Sequence, residues 1–146
     1  MQKLINEFYE EFKGIGVPAI VRNGHVNDAF EVVVLKILYG RLFDITFDKE
    51  HIEELKKYII APPDSGIDIF IEKGDGDDSV FDVIQVKNKA LNESEIRDAM
   101  TPMERTISDF CKSAINISSE NCREILSTSS LDINNYKKNC RYFVVH

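Results

Sequence analysis

Two short apolar runs separated by a loop rich in glycine and aspartate constrain this chain more than any other feature. Ile67, Ile69, Phe70 and Ile71 form the first run; Val80, Phe81, Val83, Ile84 and Val86 form the second, and Lys73 to Ser79 lies between them. β-branched and aromatic residues in runs of this length, bounded by turn formers, predict two β-strands. The loop predicts an antiparallel hairpin wider than the two-residue kind. Side chains two apart on a strand share a face, so Gln85 and Lys87 project together, away from Ile84 and Val86. On the first strand Asp68, Phe70 and Glu72 share a face, opposite Ile67, Ile69 and Ile71. A register that sets Asp68 beside Gln85 brings a carboxylate, an amide oxygen and an ammonium together on one strand pair.

That combination suits phosphodiester hydrolysis. Mg2+ takes oxygen ligands and is commonly held by one or two carboxylates together with substrate phosphate. Asp68 would supply the anionic ligand and Gln85 a neutral oxygen, with a nearby backbone carbonyl beside them. Lys87 would orient the attacking water and offset developing negative charge. Asp64, just ahead of the strand, is placed to approach the same point. From spacing alone the rival account, a half-solvated sheet carrying ordinary polar residues, stays open.

The segments P-D-S-G-I-D-I-F-I-E (residues 63–72) and V-I-Q-V-K-N-K (residues 83–89) resemble the core of the PD-(D/E)xK nuclease superfamily. They look most like the Mrr-like restriction endonucleases and the nuclease domain of abortive-infection phage-resistance proteins. The shared pattern is D-x-G-I-D on one strand, Q-x-K on the next and a glutamate on an earlier helix. The resemblance covers residues 25–90 and extends to the rest as a continuation. By it, Asp68 matches the metal-binding aspartate, Gln85 and Lys87 the (D/E/Q)-x-K pair, Glu31 the helical glutamate and Asp64 the first acid of the turn. It implies a restriction-endonuclease-like core of order αβββαβ, Mg2+ with Mn2+ as a substitute, DNA as substrate and a role in prokaryotic defence against phage. RNA stays open as a substrate. Gln85 departs from the commoner acid and removes a negative charge from the metal site. The alternative is therefore an inactive nuclease-like module kept for interaction or oligomerisation.

A chain of 146 residues suffices for one domain with a substantial core. Its expected parts are a helical portion (1–58), the core hairpin (59–90) and a helix with a final strand (91–146). Arg141 to Val145 reads as a strand that pairs parallel to the Gln85 strand through a crossover. A chain ending at a core strand suggests the N-terminal domain of a longer polypeptide, with further domains as partners and a homo-oligomer left open. The fold class expected is α/β, a mixed sheet flanked by helices.

The chain carries 18 basic and 25 acidic residues, net −7, which argues against tight nucleic-acid binding without a locally basic cleft or a separate gripping domain. No apolar run approaches the ~20 residues of a membrane helix. Cys111, Cys122 and Cys140 lack metal-site spacing and fit reduced thiols, hence a cytoplasmic setting.

Helices are predicted over residues 2–13, from Asn27 or Asp28 to Tyr39 with Gly40 as the stop, and from Asp48 through I-E-E-L-K-K-Y. Asn92 and Glu95 form a capping box for a long helix to about Ser113, with a kink expected at Pro102. Glu31, in the first turn of a nearly all-apolar helix, either complements the helix N-terminus or serves a site. Asp75, Asp77 and Asp78 lack the later bidentate acid of a calcium loop and read as a solvated turn. Residues 116–135 are rich in Ser and Asn with Ile and Leu interleaved and are assigned no element of their own, and Asp132 to Asn139 reads as a short helix.

Overall fold

A computed structural model describes residues 1–15, 20–62 and 66–146. Asp64 lies outside the described residues. The elements are α1 (Gln2–Phe12), α2 (Asp28–Tyr39), α3 (Ile52–Leu55), β1 (Ile69–Lys73), β2 (Val80–Val86), α4 (Glu93–Lys112), α5 (Glu120–Ser127), α6 (Tyr136–Asn139) and β3 (Cys140–Val145). The class is α/β.

The strands form one mixed sheet of order β1-β2-β3. β1 and β2 pair antiparallel from Ile69↔Ile84 to Lys73↔Val80, as the hairpin signal predicts. β3 lies parallel to β2, from Phe81↔Cys140 to Val86↔Val145, and α4 belongs to the connection that a parallel pair requires. Ahead of the hairpin, Ile59 joins the edge of the sheet through one antiparallel bridge, Ile59↔Ile69. It is held by the Ile60 N–H on the Asp68 carbonyl and the Phe70 N–H on the Tyr58 carbonyl, both 2.9 Å. Pro62 follows almost at once and lacks the N–H that a longer ladder would use.

Strand alternation divides the interior in two. Ile69, Ile71, Ile84 and Val86 pack with α1 and α2 through residues such as Phe12, Val32 and Leu35. Phe70, Phe81 and Val83 pack on the other face with Met103, Ile107 and Phe110 of α4 and Ile125 and Leu126 of α5. Ile67 departs from expectation. It joins Phe70's side of the sheet, because the regular strand starts only at Ile69 and Gly66 turns the chain before it with φ +84°.

α4 starts as its sequence dictates. The Asn92 side chain accepts from the Glu95 N–H and the Glu95 carboxylate from the Asn92 N–H, both at 2.9 Å. The helix runs through Pro102 to Lys112. α5 is the element that the sequence left out. Ser119 caps it by accepting from the Cys122 N–H, and Cys122, Ile125 and Leu126 are buried at i, i+3 and i+4. Gly40 follows α2 but does not turn left-handed; a side chain there would meet the Lys36 carbonyl at 2.6 Å. Asp75, Asp77 and Asp78 are exposed in a short 3-10 turn.

Candidate functional site

β1 and β2 carry the residues on which the expected site depends. Asp68 immediately precedes the first paired residue of β1, and continuing the antiparallel register by one step sets it across from Gln85. The Asp68 N–H donates to the Ile84 carbonyl, and the Val86 N–H donates to Asp68 Oδ2 at 2.7 Å. The aspartate thus ties off the open end of the hairpin with its side chain. It is 6% exposed.

Gln85 is also buried, at 8% exposure, and its Oε1 has no hydrogen-bond partner. A buried carbonyl oxygen without a donor costs about 1–3 kcal/mol, and such an atom is commonly explained by a water, an ion or a ligand. Lys87 is half-buried two residues on, at the end of β2, where its N–H donates to the Val145 carbonyl at 2.8 Å. Gln85 and Lys87 line one groove of about 290 Å³, walled on the far side by α4. Asp68 does not line this groove; it sits at the hairpin end beside it.

Gly66 fixes how α4 meets this corner. A Cβ at Gly66 would come 2.7 Å from Pro102 Cβ, so only glycine allows the turn before Asp68 to press against the helix. Pro102 lines the groove as well, and the Gly66 contact holds the wall of the groove to the hairpin end.

Glu31 is carried by a different element, α2. It is half-buried in the first turn of α2, on the helix layer that covers the opposite face of the sheet, and it is not among the residues of the groove. Asn27, which precedes its helix, accepts through Oδ1 from Asn88 Nδ2 at 2.9 Å, just beyond Lys87. Asp28, beside it, is engaged by Arg22 through the backbone N–H and the guanidinium at 2.8–3.0 Å.

For a divalent cation the donor set has a mixed fit. Among the described residues no three His, Cys, Asp or Glu side chains gather as a ready cage. The orphaned Gln85 oxygen beside one carboxylate nevertheless fits a hard cation that completes its shell with carbonyls and water, as Mg2+ does.

The residue that sequence reasoning missed is Asp82. It lies at the middle of β2, 1% exposed, and faces the α2 side of the sheet. Tyr39 donates to its Oδ2 at 2.6 Å, Lys73 Nζ is 3.0 Å from the same oxygen, and Arg141 Nε and NH2 are each 2.8 Å from Oδ1. Burial pushes its pKa up, but the hydrogen bonds from Tyr39, Lys73 and Arg141 prevail and hold it below the ordinary carboxylate value. Fully engaged by its neighbours, Asp82 is a structural hub. An aspartate inside an apolar strand was the available signal.

No protein-family model, no curated protein and no solved structure matches this chain.

Proposed function

We propose that this chain is a Mg2+-dependent DNA endonuclease domain with a restriction-endonuclease-like core, acting in defence against foreign DNA. The observation that carries the proposal is the unpartnered, buried Gln85 Oε1. Gln85 lines one groove together with Lys87, and the register of the hairpin, continued by one step, sets it across from Asp68. An antiparallel hairpin, a long helix and a parallel return strand beside the hairpin's second strand support the same core.

Asp68 and Gln85 would hold the cation, with Mn2+ as a substitute and Asp64 and Glu31 as further contributors. When bound, the metal polarises a phosphoryl oxygen and lowers the pKa of a coordinated water. Lys87 would face the scissile phosphate, orient the attacking water and counter the charge that builds up in the transition state.

One observation favours a second account, an inactive module of the same fold. Asp68 already accepts the Val86 N–H, so it has a structural use without any metal. For that reason Asp68→Asn, which keeps an acceptor oxygen, is a better probe than Asp68→Ala, which leaves the Val86 N–H orphaned at a cost of about 1–3 kcal/mol.

Nicking and linearisation of supercoiled plasmid with Mg2+ or Mn2+ test the proposal. Lys87→Ala and Asp68→Asn are each expected to lower cleavage by roughly 10²-fold or more, with thermal melts confirming that both stay folded. Cleavage by the wild-type protein that survives both substitutions overturns the site. A folded wild-type protein that binds neither metal and cleaves nothing favours the inactive module.

A further inference from the structure

The wall of the groove opposite Gln85 and Lys87 is one face of α4. Glu95, Asp98, Ala99 and Pro102 recur at i, i+3, i+4 and i+7 and line it together. The acids of this end of the helix are not equivalent. Glu95 caps the helix through the Asn92 N–H and stands 3.7 Å from Lys89, while Glu93 is 3.9 Å from Arg97. Asp98 takes part in neither pair and is exposed to the groove. Four residues on, Pro102 has no N–H to return to the Asp98 carbonyl, so the helix leaves a second oxygen of the same residue short of its usual donor.

Formal charge decides what such a groove attracts. Lys87 and Lys89 oppose Glu95 and Asp98, so among the described residues the lining is neutral and offers a phosphodiester no net pull. A divalent cation bound there would leave it two charges positive. The nine-tenths-buried Gln85, whose Oε1 has no donor, is the independent sign that this groove is built around something absent from the protein itself.

We propose that Asp98 is a ligand of the divalent cation, approaching from the α4 side to face Gln85 Oε1 and supplying the negative charge that a glutamine in place of an acid withholds. The proposal rests on the nuclease assignment above and adds to it a carboxylate outside the hairpin. Asp98 would bind the metal, directly or through one of its waters, and Lys87 would remain next to the phosphate.

Titration of the folded protein with Mn2+, followed by calorimetry or by the loss of free-ion paramagnetic resonance signal, tests it without any cleavage assay. Asp98→Asn is expected to weaken Mn2+ binding roughly tenfold or more. Glu93→Gln, which removes an exposed acid from the same helix outside the groove, is expected to leave binding close to wild type. Asp98→Asn binding Mn2+ as well as Glu93→Gln does, while Asp68→Asn loses it, overturns the role of Asp98 and leaves the nuclease assignment standing. Absence of Mn2+ binding by the wild-type protein overturns both.

Discussion

Asp82 shows what a single carboxylate does at the centre of this sheet. It is flanked by Ile71 on one side and Arg141 on the other, and it gathers a phenol, an ammonium and a guanidinium from α2, β1 and β3. Removing one partner of a buried charged cluster leaves the others uncompensated. That costs about 3–5 kcal/mol when all are fully enclosed. Lys73 and Arg141 keep 31% and 50% of their side chains in solvent, which screens the loss, so Asp82→Asn is expected to cost nearer 2 kcal/mol at neutral pH. The pH dependence has a definite sign. The folded pKa is lowered, so the stabilisation is complete above the unfolded value of about 4 and disappears as pH falls through the folded value. Urea midpoints measured from pH 7 down to acid should therefore converge for wild type and Asp82→Asn below about pH 4; a constant gap would remove the charge from the explanation. At this scale the sequence showed the common face of Gln85 and Lys87, because a period of two needs no tertiary information. It did not show that Gln85 is buried, which depends on α4 closing over that face.

The capping box of α4 and the parallel placement of β3 were legible in the sequence for local reasons: an Asn-x-x-Glu spacing, and a β-branched run after a helix. α5 was not, because eight residues with three apolar contacts look like loop until a sheet face is available to bury them. The close approach of Gly66 to Pro102 was hidden altogether, since it joins elements far apart in the chain. That contact separates two effects of glycine. Gly24 and Gly66 both have φ +84°, but a Cβ at Gly24 meets nothing within 4 Å, whereas at Gly66 it meets Pro102 Cβ at 2.7 Å. Gly24→Ala thus reports backbone strain alone, about 1 kcal/mol at the low end for a left-handed residue. Gly66→Ala adds overpacking of about 1–3 kcal/mol. Chemical denaturation should place the Gly66 variant below the Gly24 variant by that difference. Equal midpoints would mean that α4 shifts freely, and would weaken the case that this contact positions the groove.

Across the whole molecule, three strands separate two apolar cores, and the groove lies at one end of that sheet, where β2 runs out toward Lys87. The chain is acidic overall, net −7, and the long-range field therefore repels a polyanion before any local contact forms. Among the described residues, Lys87 and Lys89 are the cations that line the groove. Each phosphate neutralised on duplex DNA contributes about −0.9 to the slope of log K against log salt, so two lysines allow a slope of about −2 at most. The proposed site then makes a joint prediction. In chelator, DNA affinity of this domain should be weak and its salt slope shallow. With Mn2+ added to a variant that cannot cleave, Lys87→Ala, affinity should rise, because without Lys87 the described lining carries one net negative charge and the divalent cation turns it positive, while the slope falls by about one relative to a wild-type measurement made without turnover. Fluorescence anisotropy with a labelled duplex, read across a salt series with and without metal, measures both quantities. A slope far steeper than −2 would show that the domain grips DNA through a surface other than this groove. An affinity indifferent to metal would show that no cation enters the groove, and would remove the metal-binding role proposed for Asp68, Gln85 and Asp98.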